Sequence, residues 1–261
     1  MSSAQPVAVP NHFDPRERLE VPDISSFSRL RFLTTTDFPP FNFLDEAGRL
    51  SGFHVDLIRA ICDTLDVEAR CEIQALPWPE LRPALEDDQG EVIAAGIAVT
   101  DENRQNFAFT RPFLKLPARF LVRKDDDVEG EAVTELAGER VGVLEGSAHE
   151  AMLDAFFPDA EAVPLPDASA MFQALKDEDV RAIFDDGVRL SFFLGSDAAA
   201  ECCRFFDGPF YSDRFLGLGL ALAVAPEDEA LAQAFDHALM VLSNDGRLAE
   251  IYLRYFPEGL Y

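Results

Sequence analysis

Asp186 closes an apolar run that reads as a buried strand over 180–185, and a carboxylate in that place stands where the cleft of an α/β protein opens. Its neighbour Asp185 reads as the more solvated of the two acids. Ser147-Ala148-His149-Glu150 has the Ser-x-x-Glu form of a capping box. It places His149 in the first turn of a helix, where an imidazole could donate to an anion beside the free backbone N–H groups. Cys62 falls near the end of a predicted helix and Cys71 in the strand that follows. A bridge there would close a short loop, stabilise by about 3 kcal/mol and require an oxidising compartment; two buried free thiols are the alternative. Cys202 and Cys203 are adjacent, a bridge between neighbours needs an unfavourable peptide geometry, and one or both read as buried thiols. The cysteine spacing matches no zinc site. No Ser/His/Asp order, phosphate loop, dinucleotide fingerprint or metal-ligand cluster is present, so hydrolase, nucleotide, cofactor-dependent and metalloenzyme chemistries have no support.

The elements that must position these groups follow a repeating order. Residues 1–28, with Pro6, Pro10, Pro15 and Pro22 and no apolar periodicity, read as an extended N-terminal arm. Leu30-Arg31-Phe32-Leu33-Thr34-Thr35-Thr36 is a strand that Pro39-Pro40 turns, and Asp45-Glu46-Ala47-Gly48 has hairpin-loop composition. Phe53, Leu57, Ile58, Ile61 and Leu65 recur at helical spacing. A strand over 68–76, a short helix opened by Trp78 and a buried strand over 92–97 complete a βαβαβ order, which implies a mainly parallel sheet with helices on both faces. The order restarts at Arg140-Val141-Gly142-Val143-Leu144, which implies a second sheet. Ala118 to Val122 and Leu216 to Val224 flank this middle block as two crossings. Asp228 to Leu242 and Asp245 to Phe256 are amphipathic helices split at Asn244-Asp245-Gly246.

The totals narrow the partners. Two compact lobes fit within 261 residues, and 48% hydrophobic composition with 23 Phe supplies a core for each. A net charge of −26, from 22 basic and 48 acidic residues, repels polyanions and argues against nucleic acid or an anionic bilayer. No apolar run of membrane-spanning length exists. The first residues lack the basic-then-apolar pattern of a secretion signal. They read as the start of a mature chain from which a signal was removed.

Taken in order, Thr36-Asp37-Phe38-Pro39-Pro40-Phe41, Gly52-Phe53-His54-Val55-Asp56-Leu57, Trp78, Ala95-Gly96-Ile97-Ala98-Val99-Thr100, Val141 to Ser147, Asp186 and Asp245-Gly246-Arg247-Leu248 resemble the family 3 extracellular solute-binding proteins, the polar amino acid receptors of ABC importers. The resemblance covers residues 29–257. It implies an α/β, two-lobed type II periplasmic-binding-protein-like fold, with lobe 1 at 29–116 plus 214–261 and lobe 2 at 117–213. The ligand would be held between them by hinge closure. It also implies a Cys62–Cys71 disulfide, a periplasmic location, a membrane ABC permease as partner, a monomer and no cofactor.

The resemblance carries roles to single residues. Phe38 and Trp78 match aromatic positions that sandwich the ligand side chain, where stacking and exclusion of water are the physical gain. Asp186 matches the carboxylate that receives the ligand ammonium, and Gly96 and Ser147 line the pocket. Departures from the pattern concentrate in one sub-site. The Arg that would clamp a carboxylate with two parallel donors is Asn103 here, with Arg104 one residue later. Ala98 and Ala148 replace polar residues that aid the same clamp. Either Arg104 has taken over or the ligand is not a standard α-amino acid, and the remaining rings and acid favour a cationic or amine-bearing guest. His54 replaces a frequent Asp at a helix start and reads as structural. Two other functions stay open on this scaffold: a cyclohexadienyl dehydratase-like enzyme, disfavoured by the missing Arg, and a free sensor module for a membrane kinase.

Overall fold

Side chains alternate strictly between faces along the central strands, so each sheet must be covered on both sides. The computed structural model describes residues 13–97, 99–100, 103–197, 199, 201–257 and 259–260. The remaining positions, among them Ala98 and the first twelve residues of the arm, lie outside the described residues. The chain divides into two units, one holding described residues 13–115 and 218–257, the other 116–217 with 259–260.

The first unit begins with β1 (Leu30–Thr34), β2 (Asp37–Phe38), β3 (Asn42–Leu44) and β4 (Leu50–Ser51), and continues with α1 (Phe53–Thr64), β5 (Cys71–Ala75), α2 (Trp78–Glu86), β6 (Val92–Ile93) and β7 (Ala108–Phe109). The second contains β8 (Ala118–Arg123), α3 (Ala132–Glu135), β9 (Arg140–Leu144), α4 (Ala148–Phe156), β10 (Glu161–Leu165), α5 (Ala168–Lys176), β11 (Ala182–Asp186), α6 (Gly187–Leu194), β12 (Cys203–Phe210) and α7 (Asp213–Leu216). The chain then returns to the first unit as β13 (Ala223–Val224), α8 (Glu229–Asp245) and α9 (Arg247–Tyr255). Gly246, in the left-handed region at φ 89°, ends α8 and lets α9 start anew.

The two main sheets share one plan. In the first unit the strand order is β5-β1-β6-β13-β7, in the second β10-β9-β11-β8-β12. In each, the first three strands are parallel and the last two pair antiparallel. The parallel part comes from βαβ crossovers; the antiparallel pairings come from β13 and β8, the strand that follows each crossing at 217–218 and 115–116, which runs against its neighbours on both sides. In the second unit Phe120, Val122, Ala182 and Phe184 pack with Met152 and Leu153 of α4. The intervening Leu121 and Ile183 pack with Met171 of α5 and Leu190 of α6. The small antiparallel sheet β2-β3-β4 joins α1 at Gly52. A Cβ there would sit 2.2 Å from the Phe41 carbonyl oxygen, so only glycine fits.

Cys62 and Cys71 form a disulfide that ties α1 to β5. Cys202 and Cys203 also form one, which corrects their reading as thiols: the turn before β12 brings the neighbouring sulfurs together, with Cys203 buried beside Leu121 and Leu190.

Residues 13–28 lie against the first unit without regular structure, with Phe13 and Ile24 buried. Arg111 grips Glu17 with two bonds of 2.6 and 2.8 Å, Arg70 donates to the Phe27 carbonyl oxygen at 2.7 Å, and His237 Nδ1 lies 3.0 Å from that of Leu19. Asp236 accepts the Arg111 backbone N–H at 2.7 Å. Burial nonetheless pushes its carboxyl up to about 6, against the pull of Arg111.

Two outcomes are expected. The folded chain holds the Asp236 proton more tightly than the unfolded chain, so the stability this confers is full below the ordinary value of 3.8 and is lost as pH rises through about 6. Asp236→Asn should therefore gain about 1–2 kcal/mol over wild type between pH 4.5 and pH 8 in urea titrations. The Cys62–Cys71 bridge spans a sequence separation of 9. Its removal as a double Ala variant should cost about 3 kcal/mol, seen as a melting temperature roughly 6–10 °C lower.

Candidate functional site

A parallel sheet delivers the C-terminal ends of its strands to one edge, and the loops there carry the side chains that can meet a ligand. In the first unit that edge belongs to β5, β1 and β6. Trp78 follows β5, Phe38 follows β1 and Gly96 follows β6, so the three share it. Phe38 sits half-buried at the tip of the β2–β3 hairpin, directly opposite Asn42. Its ring stacks on Phe41 at 4.7 Å between centroids. Gly96 has φ +81°, and a Cβ built there would lie 2.8 Å from Phe38 Cε1, so the glycine backbone forms the seat of the ring. Trp78 is the first residue of α2 and is 51% exposed. A large ring left in water at a strand edge is available for stacking. Asn103 opens a 3₁₀ turn, Asn103–Gln105, and its N–H is taken by Thr100 Oγ1 at 3.1 Å. The Arg104 N–H binds the Thr100 carbonyl oxygen, and the Arg104 side chain is exposed. Thr35, just past β1, is buried with no hydrogen-bond partner for its Oγ1 among the described residues.

In the second unit the matching edge belongs to β10, β9 and β11. Asp186 ends β11 and caps α6, its Oδ1 accepting the N–H groups of Val188 at 2.8 Å and Arg189 at 3.3 Å. Ser147 follows β9 and caps α4: its Oγ accepts the Glu150 N–H at 3.1 Å, while Glu150 reaches back to the Gly146 N–H at 2.6 Å. Ala148 and His149 are the first two residues of α4. The His149 imidazole comes within 3.5 Å of Asp185 Oδ1 and its Nε2 is buried without a hydrogen bond among the described residues. Asp185 is fully buried and receives Arg189 Nη1 at 2.7 Å. Burial is the main cause of a raised Asp186 carboxyl, His149 draws it down, and the Asp185 charge lifts it again.

Phe38 and Gly96 are thus in contact, Trp78 shares their edge, and Ser147, Ala148, His149 and Asp186 share the other. Ala98 lies outside the described residues. Asp185, read from sequence as the solvated acid, is instead the buried one: in β11 its side chain points into the unit, opposite Arg119 of β8. Sequence reasoning missed Arg189, although its i,i+4 spacing from Asp185 could have exposed the pair. It also missed Thr35, for which the Thr34-Thr35-Thr36 run gives no discriminating signal.

Comparison with known proteins agrees with this plan. The family model of bacterial extracellular solute-binding proteins, family 3, matches residues 30–258. The chain is 28% identical over 247 residues to the L-arginine-binding protein of Pseudomonas aeruginosa, covering 93% of each chain. It is 23% identical over 234 residues to ABC transporter arginine-binding protein 1 of Escherichia coli, covering 90% of this chain and 93% of that one. The solved L-cystine solute receptor of Neisseria gonorrhoeae superposes with a TM-score of 0.76 at 20% identity, covering 90% of this chain and 94% of the receptor, a likeness of fold.

The contact beneath Phe38 makes Gly96 sensitive to a single methyl. Gly96→Ala should lose roughly 1–2 kcal/mol of stability from its left-handed backbone alone, and more if the ring cannot move aside. Urea denaturation of the variant measures the cost, and a loss below about 0.5 kcal/mol would mean that this backbone relaxes.

Proposed function

Because the chain belongs to the bacterial extracellular solute-binding proteins, family 3, we propose that it captures a cationic amino acid of the arginine type and delivers it to a membrane ABC permease, as a periplasmic monomer. The observation that carries the reading is the state of the two acids. Arg189 already pairs with Asp185, whereas among the described residues Asp186 is engaged through Oδ1, by two backbone N–H groups. Asp186 Oδ2 is therefore left for the positive end of a guest. The exposed ring of Trp78 and the half-buried ring of Phe38 suit a planar guanidinium or its aliphatic stem. Two relatives named for arginine binding support the same class.

The guest's carboxylate falls to Arg104, whose guanidinium makes no ion pair with any described residue and offers two parallel donors. Ser147 contributes through the N-terminal turn of α4, which its hydroxyl oxygen caps by accepting the Glu150 N–H, and it keeps its own O–H to donate to the carboxylate. Two disulfides fit an oxidising compartment, and no helix among the described residues is long and apolar enough to cross a membrane.

Calorimetric titration tests the proposal. Arginine should bind and glutamate should not, and Asp186→Asn should weaken arginine binding about 1,000-fold, the scale of removing one partner of a desolvated charge pair. Because burial raises the Asp186 carboxyl above its ordinary value, a proton competes with the cation as pH falls, so affinity should drop on acidification and stay flat in Asp186→Asn. If Arg104 is the clamp, Arg104→Ala should weaken arginine binding but leave the decarboxylated analogue agmatine unaffected. Binding of acidic ligands alone would overturn the reading.

A further inference from the structure

Deep under the hairpin that carries Phe38 lies a polar group that the binding chemistry does not use. His54 is buried in the first turn of α1, among the rings of Phe41, Phe53 and Phe113 at centroid distances of 5.1, 6.0 and 5.8 Å. A polar ring in such a place costs free energy unless it is hydrogen-bonded. Its Nδ1 lies 2.9 Å from Asn42 Oδ1, and it also bonds the Ala94 backbone. Burial drives the imidazole down to about 3, so the ring is neutral and carries one N–H at any ordinary pH. The Ala94 carbonyl only accepts, so a ring with one N–H that bonds both partners donates from Nε2 to Ala94 and accepts at Nδ1 from the Asn42 Nδ2–H, the amide being turned so that Nδ2, otherwise buried without a partner among the described residues, takes the place of Oδ1.

The partners matter more than the burial. Asn42 is the residue directly opposite Phe38 in the hairpin. Ala94 lies two residues before Gly96, and its carbonyl is fixed from the other side by Thr34 Oγ1 at 2.7 Å. One imidazole therefore ties together the two backbone segments that meet where Phe38 rests on Gly96. A leucine would fill the same space and leave them unlinked.

We propose that His54 is a positioning residue, which sets the Phe38 ring over Gly96 by bridging Asn42 and Ala94 and thereby tunes ligand affinity without touching the ligand. The positional claim stands on the structure; its effect on affinity rests on the arginine-type reading above.

The test places 4-fluorophenylalanine at position 38 and follows its fluorine resonance in the ligand-free protein. His54→Leu should shift and broaden that resonance, His54→Gln, which keeps a donor and an acceptor, should restore it, and a probe at Phe235 should not move. Asn42→Thr supplies a second arm should His54→Leu fail to fold, and it should shift the same signal. Arginine affinity should fall about 10-fold in His54→Leu and recover in His54→Gln. A position-38 signal unmoved in a folded His54→Leu or Asn42→Thr protein overturns the inference even if arginine binds. A moved signal in a protein whose parent binds no cationic amino acid upholds the positioning and sinks the arginine-type reading instead.

Discussion

Desolvation of Asp185 is the constraint around which the second unit's site is organised. A carboxylate with no exposure must meet a countercharge or give up its own, and Arg189, one helical turn later, meets it at 2.7 Å. That pairing fixes the start of α6, because the Arg189 N–H and the Val188 N–H then converge on Asp186. The acid at the strand end is thereby held by backbone donors while its neighbour holds the cation. Exchanging the order of the two roles would put an uncompensated charge in the core.

The first unit solves the converse problem, presenting apolar surface where water would be expected to drive it inward. Trp78 can stay exposed because it begins α2 immediately after Pro77, whose fixed φ suits the entry to a helix and leaves the ring outside the packed face formed by Leu81, Ala84 and Leu85. Phe38 stays half-buried because Phe41 fills one side and Gly96 supplies a floor without a side chain.

The helices were legible because burial repeats at 3.6 residues are written in the apolar positions of α1, α5 and α8, and the central strands β9 and β11 because they are short apolar runs buried on both faces. The Ser147 cap was legible for the same local reason, a motif whose partners lie three residues apart. Asp185 and Asp186 were not distinguishable in that way. Adjacent strand residues point to opposite sides, and a shift of one residue in the strand's end exchanges their environments. The Cys202–Cys203 bridge was missed because propensity argues against it and only the turn's realised geometry favours it. The use of His54 was hidden for a third reason: its partners are 12 and 40 residues away, and nothing in the local pattern announces a bond to Ala94.

Net charge alone would not supply the selectivity proposed above. A field of −26 charges attracts every cation, but at physiological salt it is screened within about 8 Å, and it does not tell arginine from lysine or from a metal ion. Discrimination must arise where screening fails, in a desolvated contact of fixed geometry. In the proposed reading Asp186 supplies that contact: burial raises its carboxyl, so its charge is disfavoured there and a cation that restores the balance would gain more than at any exposed acid. The same burial sets a limit, because a site that favours a cation through desolvation also favours a proton. The affinity available to the guest and the sensitivity of the site to acid have one physical origin and cannot be varied independently at this residue.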